Sequence, residues 1–388
     1  MLDQPIQIHT MTVKNRLAKA AVVENMASES GQVTDDLIKL YQSASRGGAG
    51  LIFTGGAYVQ ENGRNQRRQT GAHHDGLIEG LSKMAKAGQE EGARIVLQLS
   101  HAGRQTDPAL VDGDVVGPSP VTDTMTKITP RHLAHDEILG LIESFGLAAG
   151  RAKNAGFDGV EIMAGHGYLI NGFLSRRTNK REDEWGGSLE NRAQILLQIV
   201  DKVKNTVGPE YPILVKINTE DRMKNGLTLE ESVWISKRLQ ESEVNALKFT
   251  GGTYESGLNI ARGDIPEDEI LAGYRGWERL RLKLIIRALK RKFKFSEAYF
   301  LENTRRIKQE IDIPVILVGG LRTPSVMNRI LQDGDADMVA LGRPLIRQPF
   351  LPRRILSGDQ SPADCQNCNR CFIKISDGQP VRCYAQSD

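Results

Sequence analysis

His166 and Tyr168 stand two residues apart in EIMAGHGYL (161–169), just past a short apolar run. An imidazole at such a place can donate a hydrogen bond to a carbonyl oxygen. A phenol, with an ordinary pKa of about 10, can pass a proton to a carbon gaining negative charge. Gln98 and Lys216 close two other apolar runs, RIVLQLS (94–100) and PILVKIN (212–218). An amide offers a donor and an acceptor to the polar edge of a heterocycle, and a lysine stabilises negative charge on a reduced ring. Gly319 and Gly320 end PVILVGG (314–320), Gly342 ends DMVALG (337–342), and Arg343 follows. Glycine backbone can approach an anion closely, and the planar guanidinium fork matches phosphate oxygens. All four cysteines fall near the end as C-x2-C-x2-C-x11-C: Cys365, Cys368, Cys371 and Cys383. That clustering reads as a metal or cluster site, not a disulfide framework.

These residues need elements to position them. Eight short apolar runs recur along the chain. Besides the four above they are LAKAAVV (17–23), GLIFTG (50–55), DGVEIM (158–163) and NALKFT (245–250). Most are too continuously apolar for a half-exposed strand and suit strands buried on both faces. Helical patterns lie between them, among them 136–156, 188–208 and 228–242. The last opens with a capping box, Thr228 facing Glu231, and the first stops at Gly156. Eight strands alternating with helices predict an α/β fold, a (β/α)8 TIM barrel. An open doubly wound sheet is the rival, but no G-x-G-x-x-G turn follows an early strand.

Barrel enzymes carry their chemistry at the C-terminal strand ends. Phosphate at strands 7 and 8, with a ring over Gln98 and Lys216, suits flavin mononucleotide. Ala20, Ala21 and Gly56, at the ends of strands 1 and 2, complete the expected cofactor set. Two connections exceed plain turns: 101–135 after strand 3 and 251–298 after strand 6. Loops of that length on the catalytic face are usually lids or substrate walls. The second holds WERLRLKLIIRALKRKFKF (277–295), read as an amphipathic helix on the barrel mouth. A patch for an anionic substrate tail or a membrane surface is the sharper alternative.

Composition sets the outer limits. Of 388 residues 39 are glycine, above the usual share of about 7%. Lys plus Arg number 51 and Asp plus Glu 48, a near balance that argues against nucleic acid as a partner. No run approaches the ~20 apolar residues of a membrane span. The first residues lack the pattern of a secretory signal, so the cytoplasm is the expected location. The barrel is expected to occupy residues 1–360, and a cysteine segment packed on it residues 361–388.

Several longer stretches resemble the old yellow enzyme family of FMN-dependent ene reductases. They are KNRLAKA (14–20), GGAGLIFTG (47–55), LQLSHAGRQ (97–105), AGFDGVEIMAGHGYL (155–169), NKREDEWGGSLENR (179–192), TGGTYE (250–255) and VALGRPLIRQP (339–349). The iron–sulfur branch, with 2,4-dienoyl-CoA reductase and trimethylamine dehydrogenase, is the most similar, and only the barrel portion of those proteins is matched. The resemblance implies FMN as cofactor and NAD(P)H as co-substrate, with Tyr168 as proton donor and His166 on the carbonyl oxygen. It implies a [4Fe–4S] cluster on the four cysteines, zinc being the alternative. The implied substrate is a small unsaturated carbonyl compound or an enoyl or dienoyl thioester. The resemblance also implies, as an alternative, an amine-type dehydrogenase passing electrons through the cluster. A second alternative, from a different class, is an electron-transfer flavoprotein that serves a partner protein and has no organic substrate of its own. A homo-oligomer also fits. The chain departs from the family pattern at Met163, where many members place the first residue of a substrate-binding pair. It also has no histidine in TGGTYESG, where Tyr254 and Glu255 stand.

Overall fold

The computed structural model describes residues 1–385. The eight runs form eight strands: β1 Leu17–Lys19, β2 Leu51–Tyr58, β3 Arg94–Ser100, β4 Gly159–Ala164, β5 Ile213–Asn218, β6 Ala246–Thr250, β7 Val315–Val318 and β8 Met338–Leu341. They pair in that order, parallel throughout, and β8 closes on β1. Closure leaves no strand edge exposed. The first run is longer than its strand. The chain leaves the ladder after Ala20, whose N–H still reaches the Leu341 carbonyl at 2.9 Å. Glu24 then turns inward to accept from the Gly55 N–H at 2.6 Å and from the Tyr41 hydroxyl.

Helices alternate with the strands. Those expected at 136–156, 188–208 and 228–242 occupy His135–Asn154, Leu189–Val207 and Leu229–Glu241. The capping box forms as expected: the Glu231 N–H donates to Thr228 Oγ1 at 3.2 Å, and the Thr228 N–H donates to Glu231 Oε2 at 3.1 Å. Gly156 takes φ +85° just past the first of these helices, a conformation open to glycine at little cost.

Two apolar layers hold the barrel. Leu51, Phe53, Val96, Leu214, Ile316 and Met338 fill its interior. An N-terminal hairpin, Ile6–Ile8 against Met11–Val13, adds Ile8, Met11 and Val13 to the same cluster and so plugs one end. The larger layer lies between strands and helices. The plug leaves the end holding the C-terminal strand tips as the open one, where a site can form. The two long connections sit there. Residues 101–134 fold through a two-residue strand pair, Val116–Gly117 with Arg131–His132. Residues 251–298 carry the helices Glu267–Leu271 and Gly276–Lys292. The second helix packs Leu282, Ile286 and Leu289 on Ile265 and Leu271 of its own insertion, where the sequence pattern predicted packing on the barrel itself.

Residues 361–385 return to the mouth. The Ala363 N–H donates to the Arg322 carbonyl at 3.0 Å, and the Val381 N–H to the Glu24 carbonyl at 2.8 Å. Asn25 Nδ2 donates to the carbonyl of Ile375, in the short helix Arg370–Ser376, at 2.7 Å.

Candidate active site

Strand register brings the chemistry together. Gln98 on β3 pairs with Glu161 on β4, and Lys216 on β5 lies between Met163 and Lys248 on its two neighbours. Around this ring opens a cavity of about 350 Å³, within the usual range for small-molecule sites. All eleven residues expected to bind cofactor or substrate line it: Ala20, Ala21, Gly56 and Gln98; His166, Tyr168 and Lys216; and Gly319, Gly320, Gly342 and Arg343. Seven of the eight strands send at least one residue to its wall, and the chain just past β1 supplies Ala20 and Ala21.

The floor is charged and buried. Lys248 and Glu161 are both fully buried with a nitrogen–oxygen distance of 2.8 Å. Gln98 Nε2 donates to the same carboxylate at 2.5 Å. The amide is thereby fixed, with its oxygen left as an acceptor toward the cavity. Burial lowers the pKa of Lys216, against an opposing pull from Glu161. Among the described residues its ammonium makes no hydrogen bond. A buried cation in that state calls for an anionic or acceptor-rich ligand. Burial also brings Lys248 down to about 7, with Glu161 opposing.

The glycine end is shaped by crowding on one side and space on the other. A Cβ on Gly320 would stand 2.7 Å from the Tyr299 ring and 2.8 Å from the Ser296 carbonyl oxygen, at φ +72°. A Cβ on Gly342 would meet nothing within 4 Å. Glycine at 342 therefore leaves a hollow that a side chain would fill, as a phosphate cradle requires. Arg343 is anchored as well. Its guanidinium donates to Asn369 Oδ1 at 2.5 Å and to the Arg262 carbonyl at 2.8 Å.

The expected catalytic pair, His166 and Tyr168, stands over the other side. His166 adopts φ +61°, and its N–H donates to Asn218 Oδ1 at 3.1 Å. Its Nε2 lies 2.8 Å from Thr250 Oγ1. Burial, and then Lys216 and Lys248, hold its pKa well below the usual histidine value, so the ring is neutral. With the Thr250 hydroxyl donating to Nε2, Nδ1 carries the proton. Tyr168 Oη accepts from Asn65 Nδ2 at 2.8 Å and lies 3.4 Å from Tyr254 Oη. The two phenol rings stack with centroids 5.9 Å apart. Burial, and then Tyr254, push the Tyr168 pKa well above 10. Met163, the departure from the family pattern, packs with Tyr168 and Ala102 in a small apolar cluster.

Two groups near strand 3 prove to be scaffold. His101 Nδ1 accepts from the Gly103 N–H at 3.1 Å, so Nε2–H donates to Asn62 Oδ1, also at 3.1 Å. Burial holds its pKa at about 3. Arg104 pairs with Glu255 and lies 3.6 Å from Asp123. Burial opposes ionisation of Glu255, but Arg177, the Thr124 N–H and Arg104 outweigh it and hold its pKa at about 2. This cluster clamps the loop after β3 to the loop after β6. Asn65, Glu161 and the pairing of Tyr254 with Tyr168 were absent from the sequence-predicted site. An acid inside the apolar run DGVEIM was the one available signal for Glu161.

Among the described residues no three or more His, Cys, Asp or Glu side chains are grouped to hold a metal ion. The four cysteines instead line one small cavity, with Arg343 and Arg347 in its wall. Arg347 Nη1 lies 3.7 Å from Cys383 Sγ. Burial raises the thiol pKa of Cys365 and pushes that of Cys371 up to about 11. Cys371 lines both this cavity and the barrel mouth. No helix among the described residues is long and apolar enough to cross a membrane.

Comparison with known proteins bears on the family and the fold. The sequence profile of the NADH:flavin oxidoreductase / NADH oxidase family matches residues 1–257 and 273–361. A metal reductase of Desulforamulus reducens is 36% identical over 390 residues, covering 100% of this chain and 54% of that protein. An NADPH dehydrogenase of Bacillus subtilis is 31% identical over 353 residues, covering 91% of this chain and 93% of that one. The solved structure of a 2-naphthoyl-CoA reductase in complex with 2-naphthoyl-CoA superposes with a TM-score of 0.85 at 29% identity. That match covers 98% of this chain and 56% of the other. The chain thus spans about half the length of the metal reductase and of the naphthoyl-CoA reductase.

Proposed function

We propose a function from one premise: this chain belongs to the NADH:flavin oxidoreductase / NADH oxidase family. Our reading is an NAD(P)H-dependent FMN oxidoreductase that reduces the activated C=C bond of an unsaturated carbonyl compound or enoyl thioester. The observation that carries it is the convergence of residues at the strand ends on one cavity, around a buried lysine whose ammonium makes no hydrogen bond among the described residues. These residues fit FMN. Gln98 and Lys216 would hold the polar edge of the ring. The backbone of Gly319, Gly320 and Gly342, with Arg343, would hold the phosphate, and Ala20, Ala21 and Gly56 would line the remaining wall. When bound, FMN accepts hydride from NAD(P)H and returns it to the β-carbon of the substrate.

The chain's own residues do the rest. His166, neutral and fixed by Thr250 and Asn218, donates Nδ1–H to the substrate carbonyl oxygen. That bond strengthens as enolate charge develops there, which is where a preorganised donor lowers the barrier. Tyr168 keeps its proton until the carbon beside the carbonyl becomes basic enough to take it. Asn65 then donates to the phenolate oxygen, and Tyr254, 3.4 Å away, can resupply the proton. The thioester class draws support from the 2-naphthoyl-CoA complex of the structural relative.

The place of Cys371 in both cavities favours a second reading, in which the cysteines carry electrons to or from the mouth. A single zinc requires its sulfurs about 2.3 Å from one point. The four cysteines line one cavity and offer the donor set of a [4Fe–4S] cluster, with zinc the alternative.

Anaerobic spectroscopy with iron, sulfide and zinc analysis tests both. The expected result is one FMN per chain, bleached by NADH or NADPH and restored by an unsaturated ketone or thioester. Iron and sulfide at about four each would establish the cluster. Protein that takes up no FMN would overturn the reading.

A further inference from the structure

The helix Gly276–Lys292 turns an apolar row to solvent. Trp277, Leu284, Leu280 and Ile285 are 80%, 58%, 49% and 44% exposed, while Leu282, Ile286 and Leu289 pack on the opposite side. Trp277, Leu280, Leu284 and Ala288 follow the spacing of a single helical face. Arg281 and Arg291 share that face at helical spacing, Arg287 and Lys292 border it, and all four are exposed too. Residues 275–294 hold nine Lys and Arg against one acid, Glu278. This segment is thus net +8 in a chain of net +3, so the remainder is net −5.

We propose that this face docks on an anionic lipid surface, as a monotopic helix lying in the headgroup plane. Cationic side chains draw a helix to acidic headgroups, and a row of Trp, Leu and Ile inserts between the acyl chains. Long arginine and lysine stems let the charges stay at the headgroups while the row is buried. A second copy of the chain is a poor occupant, because two such faces repel. An acidic protein would satisfy the charge but not a solvent-facing row with a tryptophan at its start.

The helix also stands where docking would matter. Ile260 and Ala261, just before the insertion's helices, and Tyr299 and Phe300, just after them, all line the mouth cavity. Lys290 reaches Asp264 at 3.0 Å, and the Gly263 N–H donates to the Phe293 carbonyl at 3.1 Å, so the helix is tied to the rim. Lipid docking would therefore bring the mouth close to the membrane surface, where apolar substrates concentrate. This inference stands apart from the redox chemistry.

Vesicle sedimentation of the whole flavin-loaded chain tests it. The wild type should sediment with vesicles of phosphatidylcholine containing about one-third phosphatidylglycerol and stay soluble with pure phosphatidylcholine. Raising the salt should weaken binding, since surface attraction is screened. The double variants Trp277→Ser/Leu284→Ser and Arg281→Glu/Arg291→Glu should each bind at least tenfold more weakly. These side chains are exposed, so flavin content and circular dichroism should match the wild type. A wild type that ignores anionic vesicles would overturn the proposal and hand the face to an acidic protein. Variants that bind as well as the wild type would overturn it equally.

Discussion

The barrel mouth and the cysteine segment lie side by side, with Arg343 and Cys371 lining both of their cavities, yet they are built differently. In the mouth each polar group of the floor stands on a strand, with His166 just past the end of one. Their direction is set by a ladder that closes on itself, and their partners are other buried groups. Gln98 is held by Glu161, Glu161 by Lys248, and His166 by Thr250 and Asn218. The cysteines sit on a loop and one short helix, joined to the barrel by separate bonds such as Asn25 to Ile375 and Asn369 to Ala261. A closed ladder preorganises a site before any ligand arrives. A loop segment lacks that support from a ladder.

That contrast can be broken at its strongest point. Glu161→Gln leaves Lys248 buried without its counter-charge, and loss of one partner in such a pair costs about 3–5 kcal/mol. Chemical denaturation should show a lower midpoint, and Gln98 should lose its fixed orientation. An unchanged midpoint would mean that the buried pair does not organise the floor.

A smaller effect is expected at Lys216. Its replacement by Met removes a charge-assisted contact worth about 1.5–3 kcal/mol, so FMN should bind roughly 10- to 100-fold more weakly. Titration of flavin fluorescence measures this directly. Equal affinities would remove Lys216 from the flavin site.

The smallest effect on flavin sharpens the contrast from the other side. The double variant Cys365→Ser/Cys368→Ser should lose its iron while FMN affinity changes less than about twofold, because the floor rests on strands alone. A large loss of FMN would join the two regions into one cooperative site.

The same contrast explains what the sequence disclosed. Gln98, Lys216, Gly319 and Gly342 were legible because an apolar run has a readable end, and a barrel brings such ends together. Asn65 was not, since it meets Tyr168 across 103 residues from a loop without periodic pattern. The clamp of Arg104, Asp123 and Glu255 was hidden for the same reason, since it joins two separate loops. The basic helix was legible as a helix. Its packing was not, because the apolar partners Ile265 and Leu271 lie in a stretch too short to show a period.

Tyr168 carries the central chemical claim, and the two half-reactions of Tyr168→Phe test it most directly. Anaerobic stopped-flow should show flavin reduction by NAD(P)H at the wild-type rate. Reoxidation by an unsaturated ketone or thioester should slow by about 10²- to 10⁴-fold, the usual range for loss of a general acid. In the wild type neither His166, already neutral, nor Tyr168, still protonated, should impose a pH dependence on that second step from pH 6 to 9; any step near pH 7 belongs to Lys248 in the floor. Equal slowing of both half-reactions, or of neither, would contradict the assignment of Tyr168 as proton donor.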